Sequence, residues 1–428
     1  MNKKQEIKNR IDLINKSEIP EGYKCCWGYF YPADWSIKKI KDLFNKVKTK
    51  NTDSSTLPVF TNSATQGVIL QDEYFDREIV NEDNTSGYYI VENGDFMYNP
   101  RISSNAPAGP INRNHLDIKG IASPLYTVFR AKKDENIEFI ENYFKSNYWH
   151  RYMKSVSNQG ARHDRLNLTD DDFMNMPIPQ PPGKEQKKIA EILSCCNKVI
   201  KLKEQLLNEQ NKQKEWIRQN ILTGKQRLKG FNKAWEKLAL KNIFTECKKT
   251  STGIEEVHSV AVKKGIVNQL EHLGKRCAAE DTSNYNLVEP GDVVYTKSPT
   301  GKFPYGIIKQ SKLTYNAIVS PLYGVFKPKT FELGAFLDEY FSSSVNTNNY
   351  LKPIIQKGAK NTINITNATF LSNYVKIPTD IMEQKAIYNL IDINNKKISA
   401  LEQELEQYKQ LKKALSQLLL TGIVRTME

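Results

Sequence analysis

The sequence is poor in the residues that carry most chemistry. It has five histidines and six cysteines in 428 residues. The histidines (His115, His150, His163, His258, His272) have no ligand-like spacing, and no His-Glu-x-x-His is present. No Cys-x-x-Cys occurs, which removes the zinc-ribbon and redox signatures. No two glycines stand two apart, so there is no Gly-x-Gly dinucleotide or methyl-donor loop. The Gly-Lys pairs, such as Gly301-Lys302, lack the upstream glycine of a P-loop. Asn99-Pro100 runs into Arg101, not into the Pro-Tyr or Pro-Phe with which amino-methyltransferases hold a flipped base. These absences leave no catalytic constellation and favour a binding protein over an enzyme. No cofactor or metal site is expected in this chain.

Long apolar runs are missing too. Nothing approaches the ~18 residues that a membrane span needs. The opening Met1-Asn2-Lys3-Lys4-Gln5-Glu6 is charged and does not read as a signal peptide. Two cysteine pairs are adjacent in sequence, Cys25-Cys26 and Cys195-Cys196. Neighbours of that kind rarely bridge each other. Free thiols, and hence a cytoplasmic protein with no membrane partner, are the expectation.

What the chain does have is positive charge, +14 with a pI near 9.2. A basic balance speaks about partners, and nucleic acid is the first candidate. Lysine-rich solvated helix faces are the plain alternative. It also has an internal repeat. Trp35 is answered by Trp235, and Val91-Glu92-Asn93-Gly94-Asp95 by Val288-Glu289-Pro290-Gly291-Asp292. Ser123-Pro124-Leu125-Tyr126 is answered by Ser320-Pro321-Leu322-Tyr323, and Glu185-Gln186-Lys187 by Glu383-Gln384-Lys385. Thr223-Gly224 returns as Thr421-Gly422. Offsets of 197 to 200 residues mean that a whole module is duplicated.

Each module has two parts. The first, roughly 22–181 and 227–378, holds short runs of β-branched and aromatic residues bounded by Gly, Pro and Asn. Helical stretches such as 137–144 and 333–341 interrupt them, so a mixed α/β globule is expected. The second part is a long helix. From Glu383 the apolar stripe runs Ile387, Ile391, Asn394, Ile398, Leu401, Leu405, Tyr408, Leu411, Leu415, Leu418, close to a coiled-coil period. Asn394 is the polar member. It reads either as a register-setting seam residue or as a solvated edge. In the first copy Ile189, Leu193, Cys196, Ile200, Leu207 and Ile217 fit, and Lys203 and Gln210 interrupt. Prolines precede both helices and glycines end them. Two such helices can pair antiparallel and bury both stripes, at roughly 60 Å each for about 40 residues. Residues 3–15 also read as helical.

Polar loops recur at matching places. Thr65-Gln66-Gly67 answers Lys263-Lys264-Gly265, and Asn99-Pro100-Arg101 answers Thr296-Lys297-Ser298. Gly160-Ala161-Arg162-His163-Asp164-Arg165 answers Gly358-Ala359-Lys360-Asn361-Thr362. The frame is shared and the loop side chains differ, as in two readers with different targets. Arg and Lys can take guanine or phosphate, and Asn and Gln can take adenine. The candidate DNA contacts are Thr65, Gln66, Arg101, Arg113, Arg162, Arg165, Lys263, Lys264, Lys297, Lys302, Lys360 and Asn361. For each, a solvated surface role is the competing reading.

The ordered set of motifs resembles the specificity subunit of a type I restriction–modification system over nearly the full chain. The carriers are the Trp35 and Trp235 segments, the Val-Glu-x-Gly-Asp turns, Ser-Pro-Leu-Tyr-x-Val-Phe, and the Gly-Ala loops before Asn167-Leu168-Thr169 and Asn364-Ile365-Thr366. Ile-Pro and Glu-Gln-Lys then open each long helix. The resemblance implies two target-recognition domains, 22–181 and 227–378, and two spacer helices, 182–226 and 379–428, paired as an antiparallel coiled coil after a helical segment 1–21. It implies double-stranded DNA with a split target as ligand. Two modification (methyltransferase) subunits and the restriction/translocase subunits would be the partners. S-adenosylmethionine, ATP and Mg would bind those partners rather than this chain. A free-standing bipartite DNA-binding protein and a coiled-coil interaction scaffold are the alternatives.

Overall fold

A computed structural model describes residues 3–52, 56–74, 85–133, 135–158, 164–275, 278–357 and 363–426. The chain forms two compact units, Met1–Leu202 with Leu405–Glu428, and Lys203–Glu404. Each contains one globule, one half of the first long helix (Gly183–Trp216) and one half of the second (Ile381–Leu420).

The two globules share a frame. In the first unit, strands Phe44–Lys46, Thr127–Ala131, Phe96–Tyr98 and Ile111–Arg113 lie in that order, all antiparallel. In the second, Phe244–Glu246, Gly324–Pro328, Val293–Tyr295 and Ile308–Gln310 repeat the order. Aromatic side chains alternate into the core of each sheet. Phe44, Phe96 and Phe129 pack together in one unit, and Phe244 stacks on Phe326 in the other. A second sheet of the first unit joins Gly67–Leu70, Val59–Ser63, Gly120–Ala122 and Tyr89–Val91, with one parallel pair, Ile121 beside Val59. Its counterpart in the second unit is two antiparallel pairs, His258–Ala261 with Gly265–Asn268 and Asn286–Val288 with Ala317–Val319, connected among the described residues by a parallel bridge, Val257 to Ile318.

The repeated motifs now have physical jobs. In Val-Glu-x-Gly-Asp, the buried aspartate accepts from the backbone N–H three residues earlier: Glu92 N to Asp95 Oδ2 at 2.8 Å, and Glu289 N to Asp292 Oδ2 at 2.9 Å. Arg130 clamps Asp95 through both nitrogens. Lys327 stands at that place in the second unit and reaches Glu289 instead, so burial raises the Asp292 carboxyl above its ordinary pKa. In Glu-Gln-Lys, the glutamine amide donates back to the preceding loop, Gln186 to Pro181 O and Gln384 to Pro378 O.

The glutamate of that motif is fully buried in both units. Arg425 holds Glu185 bidentately at 2.9 Å twice, and Trp35 Nε1 donates to the same carboxylate at 3.2 Å. Arg227 holds Glu383 at 2.7 and 2.6 Å and lies over the Trp235 ring at 5.4 Å. Each arginine follows the Thr-Gly helix end by three residues. Gly422 adopts φ +69°, and an added Cβ would sit 2.5 Å from Pro32 and 2.9 Å from Trp35. Gly224 meets Trp235 in the same way. These glycines are needed both for the left-handed turn and for close approach.

Helix pairing is visible within each unit. In the first, Ile189 and Leu193 share a core with Leu419 and Leu420. In the second, Ile217 and Ile221 share one with Ile387 and Ile391. Lys203 pairs with Glu404, and Lys214 with Asn395, so one helix ascends as the other descends. The pairing is antiparallel, as expected. The predicted stripe needs correction at its end. Ile387 to Leu405 are buried, yet Tyr408 and Leu411 face solvent. Over this stretch the helix packs through Lys412, Leu415, Ser416 and Leu419 instead. Gln210, read as an interruption, is a buried seam residue, and Asn394 is buried rather than at a solvated edge. The helix Lys3–Asn15 buries no residue, and Arg10 reaches the carbonyl of Ile423. No helix among the described residues is long and apolar enough to cross a membrane.

Candidate nucleic-acid interface

The matching loops are the tips of matching elements. Thr65 and Gln66 occupy the turn between Val59–Ser63 and Gly67–Leu70, both exposed. Ser63 Oγ accepts from both of their backbone N–H groups at 3.3 Å, which shapes the turn and leaves the side chains outward. Lys263 and Lys264 occupy the turn between His258–Ala261 and Gly265–Asn268, also exposed. One scaffold therefore presents a hydroxyl and an amide in one unit and two ammonium groups in the other.

Buried amides tie the first hairpin to the neighbouring loop. Asn62 donates to Met97 O at 2.6 Å and to Pro110 O at 3.0 Å. Asn112 donates to Asn62 Oδ1 and to Ser63 O, and Asn99 donates to Asn62 O. A buried amide network of this kind fixes loop geometry, because leaving any member unpaired costs about 1–3 kcal/mol. Arg101 follows this network on exposed backbone and bridges to Arg165. Ile102 N to Asp164 O and Leu166 N to Pro100 O, both 3.0 Å, zip the two arginine segments together. The fold thus gathers Arg101 and Arg165 from positions far apart in sequence.

Other candidates behave differently. Arg113 lies 3.4 Å from Glu138 and 3.7 Å from Glu141, so its charge is answered inside the globule. Lys297 adopts φ +51° and is half-buried; burial lowers its amine pKa and Glu246 opposes that. Lys302 is exposed in the turn closed by Thr300 and Phe303. Arg162, Lys360 and Asn361 lie outside the described residues. Sequence reasoning also passed over a concavity of about 250 Å³ lined by Lys46, Lys48, Lys119 and Arg130. The Lys46-x-Lys48-x-Lys50 alternation at and beyond the strand is the signal that could have shown it. Among the described residues no group of three or more His, Cys, Asp or Glu could hold a metal ion.

Residues 32–212 match the family described as the type I restriction modification DNA specificity domain. The chain is 24% identical to the type I restriction enzyme MjaVIII specificity subunit of Methanocaldococcus jannaschii, covering 95% of this chain and 96% of that one. It is 21% identical to the putative MjaX specificity subunit of the same organism, covering 92% and 94%. A crystal structure of a type I restriction–modification S subunit from M. genitalium matches with a TM-score of 0.53 at 13% identity, covering 90% of this chain and 96% of that one. That last likeness shows the fold. The resemblance read from the motifs is borne out, and so is the fold class of two mixed α/β globules with long paired helices.

Proposed function

We propose that this chain is a type I specificity subunit that reads a split double-stranded DNA target, one half-site per globule. The observation that supports this reading is the pair of hairpin turns: one frame, with Thr65-Gln66 at one tip and Lys263-Lys264 at the other. A duplicated frame with unlike tips suits two different half-sequences. The chain supplies recognition and no chemistry. Modification subunits that carry the methyl donor, and ATP- and Mg-dependent restriction subunits, would dock on it. The paired helices would set the gap between half-sites, near 34 Å or one helical turn when both lie on one DNA face. Adding or removing whole turns in both helices would then change the gap that is tolerated.

The test is modified-base sequencing of the host genome with and without the gene. Loss of methyladenine from one split motif on deletion supports the reading and reports both half-sites. An unchanged methylation pattern, together with no methyltransferase recovered on a tagged chain, would sink it. A chain that binds its split site without partners would instead be a free-standing reader. One whose binding ignores both salt and loss of the tip residues would be a scaffold.

A further inference from the structure

The first unit contains a cleft of about 630 Å³. It begins at Ala64, in the turn that presents Thr65 and Gln66, and passes Asn112 of the amide network. From there it reaches Lys145 and the last turns of the second long helix. Four lysines line it, Lys145, Lys409, Lys412 and Lys413, together with the amides of Asn105 and Asn147. No aspartate or glutamate is among the lining residues. His150 also faces it, but burial, then Lys154, pushes its pKa down to about 4, so it is neutral at pH 7.

Lys412 is the informative member. It is half-buried, and both that burial and the neighbouring Lys145 disfavour its charge. Among the described residues no hydrogen bond or ion pair reaches it. Lys145 has Glu141 at 2.5 Å, which faces it rather than the cleft. A half-buried ammonium without a counter-charge is costly unless a ligand supplies one.

The second unit shows the same helical position with the problem solved internally. Lys214 takes the place of Lys412. It lies 3.5 Å from Glu339 and donates to Asn395 Oδ1 at 2.6 Å. Arg218 adds a second contact to Glu339 at 2.6 Å. The repeat puts Asn142 where Glu339 stands, and its amide is spent on Glu138 O of its own helix. The repeat also puts Lys413 where Glu215 stands. Two carboxylates of the second unit are thus an amide and an ammonium in the first.

We propose that this cleft is a phosphate-binding groove that holds the DNA backbone beside the half-site read by the first unit, and that the second unit has no equivalent. This rests on the proposed DNA-reading function. DNA is favoured over an acidic protein surface because the cleft starts at a reading turn. It also combines several cations with neutral amide donors, the donor set that phosphate oxygens use. It follows that the first unit carries more of the salt-dependent affinity than the second.

The experiment uses the full chain in complex with its methyltransferase subunits and a generic duplex as probe. Binding is measured across salt for wild type, the double variant Lys412→Gln/Lys413→Gln, Asn142→Glu, and Lys397→Gln as an exposed control in the second unit. Each lost phosphate contact should shrink the affinity drop between about 50 and 200 mM salt by roughly 3.5-fold. The double variant and Asn142→Glu should both show this, with the methylated motif unchanged and the control like wild type. Salt slopes in both test variants equal to wild type overturn the groove and leave the DNA-reading function standing. Unchanged slopes with loss of the methyltransferase subunits would make the cleft a protein-docking surface and also overturn it. A wild-type complex that binds no duplex would overturn both readings.

Discussion

Glu185 and Glu383 are fully buried carboxylates, one in each unit. A carboxylate buried to zero exposure survives only because a guanidinium forks onto both of its oxygens. Removing the arginine strands the charge, a loss of about 3–5 kcal/mol. Arg425→Ala should therefore lower the free energy of unfolding of the first unit, read from urea denaturation, by that amount, and Arg227→Ala that of the second. Glu185→Gln combined with Arg425→Met should recover much of the loss, since replacing a buried pair whole is far milder than breaking it. A second residue-scale expectation concerns His150. Its folded pKa, about 4, lies below the unfolded value near 6.5. The folded state therefore resists protonation, and stability falls as pH drops from about 6.5 to 4. Thermal midpoints of His150→Gln should fall less steeply over that window than those of wild type; parallel curves would remove His150 as the cause.

At the scale of elements, the long helices show what a periodic pattern conveys and what it omits. The stripe from Ile387 to Leu405 is buried as the heptad spacing requires. Beyond Leu405 the partner is no longer a helix alone, because the globule of the first unit also packs there. Contact then follows the globule's surface, and Tyr408 and Leu411 turn outward. The buried polar seam residues Asn394 and Gln210 each keep a side-chain oxygen without a hydrogen-bond partner among the described residues. Asn394→Leu should raise stability by about 1 kcal/mol or more, because an unsatisfied buried acceptor is removed. Chemical denaturation reads this directly, and a destabilised variant would mean that the amide makes a compensating contact. Gly422→Ala should act oppositely. The left-handed φ and the approach to Pro32 and Trp35 leave no room for a Cβ, so the helix end would lift from Trp35.

The whole molecule joins two like frames that carry unlike tips. If each globule reads alone, exchanging residues 22–181 for the same segment of another specificity subunit should change one half of the methylated motif and leave the other half intact. Modified-base sequencing of the host carrying the chimera checks this. A motif altered in both halves would mean that the globules read jointly.

The repeat, the mixed α/β class and the two long helices were legible in the residues. Periodicity, turn formers and duplicated motifs are local or self-referential signals, so a single chain displays them without its fold. Thr65-Gln66 and Lys263-Lys264 were legible as matching polar loops, because they recur at like places in the repeat; that each is the turn of a hairpin came from the structure. What tertiary structure alone decided was which charges are already answered. Arg113 reads as free in sequence, yet meets Glu138 and Glu141. Lys412 and Lys214 occupy matching positions of the repeat, yet among the described residues Lys214 meets a carboxylate and Lys412 does not. No motif in the sequence marks Arg227 or Arg425, although each neutralises a buried glutamate well over a hundred residues away in sequence. Electrostatic partnership depends on separations of a few ångström between residues that sequence places anywhere, and only the folded chain sets those separations.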